Sequence, residues 1–176
     1  MISMTRIRRI ETLNRIFFVT FNLDRSAKPL QPAERTILLS ILHRLRAPND
    51  FALYGYVVMP DHVLLLHPKS VPLPTIMRLL EAETSAALGQ SRPFIRPLWH
   101  RSYHDFICRR ARDFANKLEY IHENPRAASL VKHPAHWPWS SYLYYEKEAN
   151  LPVLPDKIDF SGDPNELLWP ACWRRL

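Results

Sequence analysis

Residues 51–67 read FALYGYVVMPDHVLLLH. Two runs rich in β-branched, aromatic and leucine side chains flank a proline-aspartate pair. The reading is a strand over Phe51–Met59, a turn at Pro60-Asp61 and a returning strand over His62–His67, so the pair forms a hairpin. Upstream, Pro32–Arg46 (PAERTILLSILHRLR) spaces its apolar residues for a helix that opens on a proline suited to a first turn. Before it, Arg15–Leu23 (RIFFVTFNL) reads as a strand. Downstream, Leu73–Leu88 is an amphipathic helix and Tyr103–Cys108 a fourth strand. Arg110–His122 is a third helix, expected to stop at Asn124-Pro125 because the residue before a proline is driven out of helical geometry. The remainder, from Arg126, is rich in proline and tryptophan and is expected to wrap the core as extended segments and short turns. The order β-α-β-β-α-β, then a helix, predicts an α+β fold: a ferredoxin-like antiparallel sheet with helices packed on one face.

Bulk properties bound the function. The chain has 176 residues, 47% of them apolar, which suits one domain with a proper core and excludes a disordered chain. The net charge of +7 favours a polyanionic partner, because Lys and Arg displace counterions from phosphates, although charge alone describes solubility first. Only 3 residues are glycine, which excludes a glycine-rich phosphate cradle; no nucleotide cofactor is expected. No uncharged apolar run approaches a membrane span, and the first residues make a poor export signal. Cys108 and Cys172 have no metal-type spacing. A reducing cytoplasm fits this cysteine usage.

Two segments carry chemistry. One is Tyr56–Pro68, YVVMPDHVLLLHP. The other is Leu118–Val131, LEYIHENPRAASLV, followed by HPAHWPWSSY over His133–Tyr142. Together they resemble the REP-associated tyrosine transposases, part of the superfamily named for a histidine-hydrophobic-histidine (HUH) motif. The family's strand motif is similar to YVVMPDHVHLL, its helix motif to YIHxNPxxAGLV, with PWSSY downstream. Leu98-Trp99 sits where the family has a tryptophan-centred strand. The similarity runs from about Arg15 to Tyr145. It implies an HUH-type transposase domain over residues 1–146, with 147–176 as an extension packing on it.

The resemblance also implies a chemistry. Two histidines two apart on a strand share one face and can share a metal ion. The ion, Mg2+ or Mn2+, would hold a phosphate oxygen of the scissile bond. Tyr120 would be the nucleophile, leaving a 5′-phosphotyrosine and a free 3′ hydroxyl. A free phenol titrates near pH 10, so it needs activation. Asn124, one helical turn beyond Tyr120, matches the family's third metal ligand. The implied partner is single-stranded hairpin (palindromic) DNA, and a monomer is favoured over a dimer.

One ligand position departs from the family. His62 is present, but the second histidine is replaced by Leu64. His67 is an odd number of residues from His62 and so points to the other face of an unbulged strand. His104 is a candidate from the neighbouring strand. The reading ranked above His67 is that His62 and Asn124 suffice, since magnesium often keeps one or two protein ligands and completes its shell with water and phosphate. The alternative function is a catalytically impaired, domesticated hairpin-DNA-binding protein. A ferredoxin-like RNA binder is a third reading, which would need exposed aromatics on the sheet.

Among the basic residues, Arg109, Arg110 and Arg112 open the tyrosine-bearing helix. Positive charge there opposes the helix dipole, a local cost that points to phosphate binding. Arg92, Arg96 and Arg101 flank the central loop, with Arg101 taken as a DNA contact. Arg6, Arg8 and Arg9 form an amino-terminal arm. Trp137, Trp139, Tyr142, Tyr144 and Tyr145 are expected to anchor the tail rather than to stack on bases.

Overall fold

A computed structural model describes residues 16–49, 51–62, 64–68, 71–89, 92 and 97–156, with Asn49 and residues 64–68 described through their backbone. Arg6, Arg8, Arg9, Arg96 and Cys172 lie outside the described residues. The elements are β1 (Ile16–Thr20), α1 (Pro32–Asn49), β2 (Phe51–Tyr56), β3 (Leu64–Pro68), α2 (Leu73–Gly89), β4 (His104–Cys108), α3 (Ala111–Ala127), a 3-10 turn at Pro134–His136 and α4 (Tyr142–Lys147). The strand order is β2-β3-β1-β4, with antiparallel pairing throughout. This is the split βαβ arrangement expected from the element order.

Side-chain alternation divides the interior in two. Phe17 and Val19 of β1 join α1 and α2 residues such as Leu38, Leu42, Ile76 and Leu80. Phe18, between them in sequence, joins Phe114, Leu118 and Ile121 of α3 in a second cluster. The period-2 strand therefore serves two layers. The two crossover helices share one face as expected, and α3 covers the other.

Two details bring α3 close to the sheet. The β2–β3 register shifts between Leu53 and Gly55. That bulge adds one residue, so Tyr54 and Gly55 both meet the α3 side while Tyr56 turns into the first cluster. At Gly55 a Cβ would lie 2.2 Å from Leu118 Cδ1. Only a residue without a side chain permits that approach.

The tail closes the free edge of β2. Ser141 N donates to Tyr56 O at 3.0 Å, Tyr56 N donates to Ser141 Oγ at 3.0 Å, and Val58 N donates to Trp139 O at 2.8 Å. Further along, Leu53 N donates to Asp156 Oδ2 at 2.6 Å and Asp156 N donates to Leu53 O at 2.8 Å. An unprotected edge strand would leave these groups to pair with another chain. Trp137 and Trp139 lie beneath the Arg35 guanidinium, whose carbon is 4.8 and 4.1 Å from the two ring centroids. They hold the tail to α1, as expected of the PWSSY element. The helix α4 is a finding beyond the extended tail read from the sequence.

The third helix does not stop at Asn124-Pro125. It continues to Ala127, with Pro125 inside it and buried. The proline falls in the last turn, where its missing N–H costs a single helical bond. The end is a Schellman motif: Ser129 N donates to Arg126 O and Leu130 N to Pro125 O, both at 2.9 Å. Ser129 takes the left-handed conformation, with φ 58°, at the position where the family's motif has glycine.

Two stability outcomes follow from this packing. Gly55→Ala is expected to cost about 1–3 kcal/mol in urea unfolding, and the double variant Gly55→Ala/Leu118→Ala to lose less than the sum of the two single losses. Ser129→Gly is expected to gain up to about 1 kcal/mol by relieving the left-handed serine.

Candidate nucleophile and nucleic-acid interface

The α3 sequence carries a clean apolar stripe. Ala111, Phe114, Ala115, Leu118, Ile121, His122 and Pro125 are buried at helical spacing. Tyr120 falls off that stripe and is 54% exposed. Its ring meets Phe18 edge-on, with centroids 5.9 Å apart. The Lys117 ammonium lies 5.8 Å from the Tyr120 ring centroid. The expected nucleophile is thus presented to solvent and braced against the sheet.

Arg109, Arg110 and Arg112 are exposed at the start of this helix, and Arg101 is exposed in the loop before β4. The dipole cost of the arginines is offset locally by Asp113. Its Oδ2 accepts from Arg109 N at 3.2 Å and Arg110 N at 3.1 Å, placing a carboxylate at the positive helix end. Arg92 is different. It makes a two-pronged ion pair with Glu34, both contacts at 2.6 Å, and donates to the Lys28 and Pro29 carbonyls. These bonds with Arg92 hold the Glu34 carboxyl below the ordinary range. Arg92 therefore ties the central loop to α1.

His122, two residues from Tyr120, faces inward. Its Nε2 lies 2.8 Å from Ser141 Oγ, and burial pushes its pKa down to about 3. A neutral imidazole thus links α3, the PWSSY tail and β2, because the same Ser141 hydroxyl accepts from Tyr56 N. Burial pushes the Cys108 thiol up to about 12, consistent with a small core side chain.

The expected metal donors do not converge. His62 borders a hollow lined by Phe21, Leu30, Leu38, Val58 and Trp99, all residues of the first cluster. Its Nδ1 is 2.9 Å from Asp61 Oδ1. Asn124 is on α3, across the sheet, and its Nδ2 donates to Tyr120 O at 2.6 Å. The backbone at position 64 pairs with Val19 and Tyr56 of the first cluster. Position 67 pairs with Ala52 of the second. His104 pairs with Thr20, two residues from Phe18 and hence on the Tyr120 face of the sheet, and is exposed. His62 and Asn124, on opposite sides of the sheet, do not fit one shared ion. Among the described residues no cluster of three His, Cys, Asp or Glu side chains is suited to a metal.

Two residues of this helix were not singled out from sequence: Lys117, beside Tyr120, and Asp113, in the first turn. Asp113 carried a legible signal, an acid three residues into a helix. Lys117 did not, since two of the rings it meets, Phe18 and Phe106, are on separate strands, while Ser141 stood in the PWSSY motif without its bonds to Tyr56 and His122 being legible.

Residues 18–124, which span β1 to the helix turn after Tyr120, match the family described as transposase IS200 like. The chain belongs to the IS200-like transposase family. Within this transposase family, a relative named putative REP-associated tyrosine transposase, from Haemophilus influenzae, is 29% identical over 68 residues. That match covers 39% of this chain and 36% of the relative. A solved REP-associated tyrosine transposase bound to a REP hairpin superposes with a TM-score of 0.69 at 20% identity. It covers 92% of this chain and 96% of its own, which shows a shared fold. A putative transposase from Deinococcus radiodurans R1 is a looser likeness, with a TM-score of 0.46 at 20% identity, covering 70% of this chain and 97% of its own. The family match agrees with the resemblance read from the sequence motifs. No helix among the described residues is long and apolar enough to cross a membrane.

The buried His122 makes stability depend on pH. Its folded pKa of about 3 lies below the ordinary 6.5, so the unfolded chain binds the proton first. Its contribution is complete above pH 6.5 and declines as the pH falls toward 3. Between pH 7 and pH 5 the stability advantage of the wild type over His122→Gln should shrink by about 2 kcal/mol, measured by urea unfolding at each pH.

Proposed function

We propose that this transposase binds single-stranded hairpin DNA and that Tyr120 attacks a phosphodiester beside the hairpin. The observation that carries the reading is Tyr120 itself: a tyrosine 54% exposed on a helix whose other large apolar side chains are buried. Support comes from the family match through residue 124 and from the fold shared with a hairpin-bound relative. The arginines at the start of α3 and Arg101 would track the phosphate backbone.

In the proposed step the phenol oxygen forms a bond to phosphorus and the bond to the 3′ oxygen breaks. The phenol loses its proton and the departing 3′ oxygen gains one. The 5′ phosphate stays on Tyr120, so the ester is conserved and strand joining needs no nucleotide. A requirement for Mg2+ or Mn2+ is expected from the family resemblance. The reading also carries a monomer, which light scattering checks, and a reducing cytoplasmic setting.

Leu64 and the separated His62 and Asn124 favour a second reading. In it the chain binds hairpin DNA but has lost cleavage. One assay separates the two. A labelled hairpin with single-stranded flanks is incubated with the protein in manganese or in EDTA and run on a denaturing gel. The first reading expects a covalent protein–DNA band that Tyr120→Phe abolishes while hairpin binding persists. Binding without any such band, in either buffer, overturns cleavage and leaves the second reading.

A further inference from the structure

Beside Tyr120 lies a cluster that the proposed cleavage step does not use. Phe106 of β4 pairs in register with Phe18 of β1, so both stand on the α3 face of the sheet. Phe106 is 45% exposed. The Lys117 ammonium is 4.8 Å from the centroid of Phe18, 4.8 Å from that of Phe106 and 5.8 Å from that of Tyr120. A single exposed apolar side chain is ordinary, but here one ammonium lies over the rings of two exposed aromatics, Phe106 and Tyr120, on the same face of the sheet.

We infer that Phe106 and Lys117 form a binding site for one unpaired nucleotide flanking the phosphate that Tyr120 attacks. The base would stack on Phe106. Lys117 would move from the rings to the adjoining phosphate. A nucleotide offers in one unit the two features the cluster matches, a flat π-face and a negative charge. The exposed Arg109, Arg110 and Arg112 extend the same positive charge along the strand's path. Stacking is indifferent to base identity, so the site would set where the flank lies relative to Tyr120 rather than which sequence is chosen. The inference rests on the single-stranded DNA reading above and names how the flank is held.

The test compares a blunt hairpin with the same hairpin carrying single-stranded flanks, by fluorescence anisotropy on the full chain. Phe106→Ala should weaken the flanked hairpin about tenfold and change the blunt one by less than about twofold. Phe106→Trp should retain wild-type affinity. A scan of single abasic sites along the flank should find one position that weakens the wild type and has no further effect in Phe106→Ala. Lys117→Gln should lower the slope of log affinity against log salt by about 0.7, the share of one single-strand phosphate. Phe106 is exposed, so thermal melts of the variants should match the wild type. If the wild type binds the flanked hairpin and Phe106→Ala binds it equally well, the nucleotide site is overturned and the hairpin reading survives. If the wild type binds neither hairpin, both fall.

Discussion

The close approach of α3 to β2 at Gly55 is the constraint on which the rest depends. Leu118 fills the space where a Cβ would stand, and the contact is locked from behind by Ser141. That single hydroxyl bonds the β2 backbone at Tyr56 and meets the buried His122 ring on α3. A strand, a helix and the tail thus share one polar atom inside an apolar cluster. Each unmet bond there would carry the cost of a buried, unsatisfied group. This arrangement sets the rotation of α3 about its axis. With Leu118 and His122 turned inward, Tyr120 between them is turned out.

The electrostatics of the exposed face follow from that rotation. The arginines gather at the first turn, where Asp113 offsets their conflict with the helix dipole. Lys117 lies between that end and Tyr120 and rests on aromatic rings instead of a carboxylate. Arg92 and Arg35, equally basic in the sequence, are consumed by Glu34 and by two tryptophans. Net charge describes the partner only after such internal pairs are set aside.

The metal question turns on parity. A strand that presents two histidines to one ion needs both on the face that holds the tyrosine. Here the second position is leucine, and its backbone pairs with residues of the opposite layer. His62 meets the same layer, near Trp99 and Leu30. His104 pairs on the layer that holds Tyr120. Tyr120 and His62, which precedes β3 instead of lying in it, are thus separated by the sheet itself, which is why the binding and cleavage readings divide at this point.

The amino-acid sequence by itself determined the element order, the hairpin, the amphipathic helices and the family resemblance. Those follow from hydrophobic period, turn residues and local motifs, which need no distant partner. It also marked Tyr120, through the residues around it. What only the tertiary structure decided is which layer each element joins. The sequence pattern of β1 does not say that Phe18 serves one helix layer and its neighbours another. The extension of α3 past Pro125 was hidden because one lost hydrogen bond is small beside the burial of that last turn. The bulge at Gly55, the sharing of Ser141 and the cluster around Lys117 were hidden for the same reason: each joins residues far apart in the chain, and their spacing carries no trace of the contact.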